Sequence, residues 1–201
     1  MPMHKVFISH HHDNDQWYKE RLVEYGEKYS IFLDRSVDTG DIPDGWTDQQ
    51  IRREIRDRYL RDSTVTIVLV GTETRRRKHI DWEIHSSMYD GSVNRRSGIV
   101  VINLPGISDY FNAAHGEEEK RLLYPDIKSW TTINERAEYE RRYPYMPDRI
   151  LDNLLKSDVT ISVAPWNRIN GTTLEFLIEA AFRNRADCGY DLSRSMRRAN
   201  S

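Results

Sequence analysis

The stretch TVTIVLV at residues 64–70 constrains the fold of this chain more than any other feature. A strand with one solvated face alternates apolar and polar side chains. A strand that is apolar almost throughout is covered on both faces, as in parallel sheets layered between helices. Four other runs read as strands: KVFIS at 5–9, SIFLD at 30–34, GIVVI at 98–102 and VTISV at 159–163. Helical patterns separate most of them. Strand and helix therefore alternate, which predicts an α/β fold: a five-stranded parallel sheet with helices on both faces.

The helix signals are local. Asp13 with Gln16, Thr47 with Gln50 and Thr172 with Glu175 all have the spacing of a capping box, and Trp46 with Ile51 suits a hydrophobic staple. Tyr18, Leu22, Tyr25 and Tyr29 predict one apolar face on the first helix. Residues 105–157 are too long for a single crossover. They carry aromatics and short helical patterns, so they read as a helical insertion between the fourth and fifth strands. The expected layout is one domain over 1–188 that contains the insertion, then a polar tail at 189–201 that frays.

At 201 residues the chain is long enough to bury a real core. Acidic and basic side chains nearly cancel, to a net charge of −2, which excludes general nucleic-acid binding through a basic field. No apolar run approaches the length of a membrane span, and the N-terminal MPMHKVFISHHH lacks the layout of a secretory signal. Cys188 is the single cysteine, so no intrachain disulfide forms. These features predict a cytoplasmic protein with neither nucleic-acid nor membrane partners.

Open parallel sheets bind ligands beyond the carboxyl ends of their strands, where the strand order reverses. Sequence alone does not fix that order. In 2-1-3-4-5, common for five strands, the crevice lies between the first and third. Ser9, His10 and His11 would flank it on one side and GTET, residues 71–74, on the other. The segment RRRKHIDWEIHSSM at 75–88 then forms a helix that starts at the same edge. Ile80, Ile84 and Met88 mark its core side, and His79, Trp82, Glu83 and Ser86 a second face. Glu83 falls at the boundary. A carboxylate there either turns into the crevice or serves a structural ion pair, and spacing leaves both readings open.

Four segments, KVFISHHHDND, FLDRSVDTGD, VTIVLVGTETRRRKHIDWEI and VVINLP, occur in an order and spacing that resemble the TIR-like proteins of the bacterial Thoeris antiphage system, the ThsB type. The likeness is close over residues 4–104 and looser over the fifth strand and last helix. The resemblance implies a flavodoxin-like fold and an NAD-consuming enzyme, an NAD glycohydrolase or ADP-ribosyl cyclase. Glu83, within DWEI, matches the position of the family's catalytic glutamate. The implied reaction breaks the nicotinamide–ribose bond. Its product is an ADP-ribose-derived signal, a cyclic ADP-ribose isomer or a histidine conjugate, that activates a separate effector upon phage infection. NAD enters as substrate, and no cofactor is implied. Further implied partners are a phage-derived trigger and, as an open choice, a second copy of the chain. The consecutive histidines at 10–12 and the long insertion depart from the family pattern.

On this reading Ser9, His10 and His11 contact the phosphates or ribose of NAD; otherwise they are a polar strand end. Arg35 is a phosphate candidate, because a guanidinium pairs bidentately. Thr72 borders the crevice. Trp82 either stacks on a nicotinamide or adenine ring or sits in the core. The cations at 75–78 either meet the pyrophosphate or pair with Glu73 and solvent. His10 and His12 could form part of a metal site, but no third ligand stands at a suitable spacing, so no metal is expected. Asp34, Asp38, Asp41 and Asp44 lack the order of an EF-hand and read as a solvated loop. Two other classes compete. One is a non-catalytic TIR-like interaction module, the other a nucleoside deoxyribosyltransferase-like enzyme that would carry its sugar on Glu83.

Overall fold

Five strands form one parallel sheet: β1 (His4–Ser9), β2 (Phe32–Asp34), β3 (Val65–Val70), β4 (Gly98–Asn103) and β5 (Ser162–Pro165). The computed structural model describes residues 3–36, 42–43, 45–92, 94–107 and 112–200. Strand order is β2-β1-β3-β4-β5, the flavodoxin-like arrangement, with its reversal between β1 and β3. The connections are α1 (His12–Tyr29), α2 (Asp48–Glu54) continued by a π-helical turn at Ile55–Tyr59, and α3 (Lys78–Met88). Between β4 and β5 come three short helices, α4 (Gly116–Leu123), α5 (Arg136–Arg142) and α6 (Asp148–Leu154); α7 (Gly171–Asn184) follows β5. Among the described residues, no helix is long and apolar enough to cross a membrane.

β3 and β4 are buried at every position, as strands without a polar face require. Their alternating side chains feed two cores. Val65, Ile67 and Leu69 pack with Leu22 of α1 and Leu174 and Leu177 of α7. Val68 and Val70 pack with Ile80 and Ile84 of α3 and with Tyr139 and Ile150 of the insertion. A smaller cluster joins Phe7, Ile51, Ile55 and Trp82. β4 opens on a glycine because α7 passes too close for a side chain: a Cβ at Gly98 would lie 2.1 Å from Ala181 O.

Several local expectations shift. Thr47 and Gln50 form their capping box. α1, however, starts at His12 with no side-chain cap, because Gln16 is engaged by His10 and Glu20. Its buried face runs through Asp15, Leu22 and Gly26, and Tyr29 is exposed. α7 is capped by Asn170 and Thr173 rather than by Thr172 and Glu175. β5 begins three residues late because Val159 and Ile161 pack into the second core before the ladder starts. The tail is not frayed. Asp152, Asp81, Asp148 and Asp48 bind Arg194, the Arg197 backbone, the Arg197 side chain and Arg198, and hold the segment against the protein. Asp38, Asp41 and Asp44 lie outside the described residues.

Candidate active site

β1 ends at Ser9 and α1 begins at His12, so the first turns of α1 stand directly over the carboxyl end of β1. His12, Gln16 and Lys19 follow at helical spacings of four and three and share a face. β2 stops after three residues, at Asp34. Beyond it the Ile8 N–H donates to Ser36 Oγ at 2.8 Å. Ser36 donates to Asp34 Oδ1 from Oγ at 2.5 Å and from its backbone at 2.8 Å. Lys19 Nζ donates to the other oxygen, Asp34 Oδ2, at 2.9 Å. A cavity of about 270 Å³ opens among His10, His12, Gln16, Lys19, Ser36 and Glu83.

Glu83 reaches this cavity from the second turn of α3. It is only 5 % exposed, and Ser9 Oγ donates to its Oε2 at 2.6 Å. That length lies at the short end of the ordinary range for a hydroxyl donating to a carboxyl oxygen. The His10 and His12 rings stand 4.4 Å apart, and His10 Nε2 meets Gln16 Oε1 at 2.9 Å. Burial holds the His10 pKa below its ordinary value; the Gln16 contact opposes this and His12 reinforces it. His10 is therefore neutral near pH 7.

One residue further round α1, a second carboxylate is buried. Asp15 lies over Gly71 at the end of β3, where a Cβ would meet both of its oxygens at 2.7 Å. Its Oδ2 has no hydrogen-bond partner among the described residues. Burial pushes its pKa up to about 6, against the influence of the His11 backbone. Gly71 is thus a close-approach position.

Of the residues expected from sequence, Ser9, His10 and Glu83 come together. The others do not. The buried His11 ring turns toward Asp13, at 3.9 Å, and toward Arg77. Arg35 is exposed, and its backbone N–H continues the sheet to Val6 O at 2.8 Å. Thr72 is exposed; the structured hydroxyl of that turn is Thr74, which accepts from Gly71 N at 2.8 Å. Trp82 is fully buried and gives its indole N–H to Arg197 O at 2.8 Å, so it presents no face to a nucleotide ring. Its position, one step of about 100° from Glu83, turns it into the cluster formed with α2. In the cation run, Arg75 pairs with Glu140 and Asp148 of the insertion, and Arg77 with Glu73. Sequence reasoning missed Gln16, Lys19 and Ser36. The first two repeat the helix face begun at His12, a legible signal. Ser36 depends on where β2 stops.

Among the described residues, no group of three His, Cys, Asp or Glu side chains is arranged to hold a metal ion. The cavity instead gathers one buried carboxylate, two imidazoles, an amide, a hydroxyl and an ammonium. That set suits an organic ligand with hydroxyls: the carboxylate serves hydroxyls or developing positive charge, while the Lys19 ammonium is held by Asp34 at 2.9 Å.

Residues 7–109, just over half of the chain, match the family described as Thoeris protein ThsB, TIR-like domain. No curated protein gives a match. Every residue that lines the cavity lies within the matched span. The chain belongs to the TIR-like domain family of ThsB, a component of the Thoeris antiphage defence system.

Proposed function

We propose that this protein cleaves the nicotinamide–ribose bond of NAD and converts the remainder into a cyclic ADP-ribose isomer, a diffusible signal that activates a separate effector. The observation that carries this reading is the placement of Glu83: a carboxylate 5 % exposed, held by Ser9, on the wall of a polar cavity. At about 270 Å³ the cavity is near the lower end of small-ligand sites, enough for the nicotinamide–ribose half of the substrate.

Bond cleavage develops positive charge on the ribose, while nicotinamide leaves as a neutral pyridine with the bonding electron pair. It needs no proton donor, so one carboxylate suffices where ordinary glycosidases use two. Glu83 stabilises the cationic ring or orients a ribose hydroxyl, and the Ser9 bond fixes the direction from which it does so. Cyclisation follows when a ring nitrogen or hydroxyl of the same molecule, rather than water, reaches the anomeric carbon. That outcome requires the internal nucleophile to be held close to the anomeric carbon and water to be kept away from it.

The test is Glu83→Gln, which keeps the shape and removes the charge. Wild-type and variant protein from phage-infected cells are given labelled NAD, and products are read by mass spectrometry. Loss of one such electrostatic contact costs about 10²–10³-fold in rate. Unchanged product formation by Glu83→Gln would exclude this enzymatic reading and favour an interaction module.

A further inference from the structure

The segment after α7 supplies α3 with what its own sequence lacks. α3 starts at Lys78, and Arg77 at its N-cap gives no side-chain hydrogen bond. First-turn N–H groups of a helix need outside acceptors. Asn200 Oδ1 accepts from Lys78 N at 2.9 Å, so it acts as a cap delivered from the far end of the chain. Arg197 gives both backbone groups to the next turn: its N–H donates to Asp81 Oδ2 at 2.9 Å, and its carbonyl accepts the Trp82 indole N–H at 2.8 Å. Met196 anchors the segment, 3 % exposed, in the cluster with Ile51, Ile55 and Trp82. These contacts fall on residues 78, 81 and 82, immediately before Glu83.

We propose that residues 194–200 form a positioning strap that caps α3 and sets where the Glu83 carboxylate points, and so where it meets Ser9. Its catalytic consequence rests on the NAD reading above; its grip on α3 does not. The strap residues do not line the cavity. They are positioning residues, acting through α3.

The experiment uses three full-length variants. Asn200→Ala removes the cap acceptor. Asn200→Asp restores it with a carboxylate, which suits the positive end of a helix. Met196→Asp places a charge in the apolar anchor and lifts the strap. Three readouts are followed: amide hydrogen exchange along the chain, the ¹³C signal of the Glu83 carboxylate, and steady-state NAD turnover. In Asn200→Ala, exchange at residues 78–82 is expected to rise by about three- to tenfold, the scale of a lost N-cap. The Glu83 signal shifts, and kcat falls by a similar factor with KM held. Asn200→Asp returns all three toward wild type. Met196→Asp enlarges each change, while the amides of β3 and β4 exchange as in wild type. Failure of Asn200→Asp to restore would overturn the strap. So would exchange that rises equally in β3 and β4, or a Glu83 signal indifferent to Met196→Asp. If wild-type protein consumes no NAD, the enzymatic reading fails, while exchange and the Glu83 signal still decide the strap.

Discussion

A carboxylate pressed against a glycine has few donors to accept from, and Asp15 is in that position at the end of β3. Folding raises its pKa to about 6, so the folded chain holds this proton more tightly than the unfolded chain. Below about pH 4 the acid is protonated in both states and is neutral to stability. Between about pH 4 and 6 the unfolded state ionises first, so stability falls as pH rises. Above about pH 6 the penalty is constant, on the order of 2–3 kcal/mol for a two-unit shift. Asp15→Asn is therefore expected to be close to neutral near pH 4 and to stabilise the protein by about 2 kcal/mol near pH 8. Urea unfolding at the two pH values measures this. Equal effects at both would show that the buried acid carries no such penalty. At this scale a strand end and a motif marked Ser9, His10 and Glu83 in the sequence, while the direction of the Glu83 carboxylate stayed open. The burial of Trp82 and Asp15 was not marked. Each lies one residue, about 100° of helix, from a side chain that lines the cavity, and only the packed neighbours decide between them.

The same division holds for whole elements. The stripe Ile80, Ile84, Met88 marked the core side of α3, yet Trp82, His85, Ser86 and Ser87 are buried as well. A helix pattern reports one apolar face, whereas α3 is covered on several sides by α2, α6 and the tail. Those partners lie far away in the chain, so local periodicity does not carry them. Caps divide similarly. In the Thr47–Gln50 box each side chain bonds to the other residue, while Gln16 finds His10 just past the preceding strand end. Sheet order was open in the sequence beyond the common choice for five strands; the structure adopts that choice, with the wholly buried β3 and β4 both inside the sheet. One close element contact is invisible in any pattern: the carbonyl of Ala181 sits where a Gly98 side chain would begin. Gly98→Ala pushes against backbone, which cannot swing aside, and is expected to cost about 1–3 kcal/mol or more. Gly45→Ala, with no described residue within 4 Å of its Cβ, is the control, expected within about 0.5 kcal/mol of wild type. Thermal or urea unfolding of the pair decides it. Equal stability of the two variants would mean that α7 shifts freely on β4.

Across the whole molecule, the insertion and the tail meet on α3, through apolar packing and through charge. Asp148 accepts from Arg75 at 2.7 Å, Arg136 at 2.9 Å and Arg197 at 3.0 Å, joining the β3–α3 connection, α5 and the tail through α6. Beneath this partly exposed network lies a fully buried pair. Arg149 is 0 % exposed, forks onto Asp81 at 3.0 and 3.2 Å, and gives a third bond to Arg194 O at 2.9 Å. The outer bonds are partly screened by solvent, and each contributes little. The buried pair differs in kind, because removing one partner strands the other charge away from water. Arg149→Met is expected to destabilise the fold by about 3–5 kcal/mol, mainly through the Asp81 carboxylate left behind. If so, Arg149→Met combined with Asp81→Asn recovers much of that loss, since the double variant buries no unpaired charge. Urea midpoints of the two single variants and the double close the cycle. A cost below about 1 kcal/mol for Arg149→Met, or additivity of the two changes, would mean that the insertion is fastened to α3 by apolar packing alone.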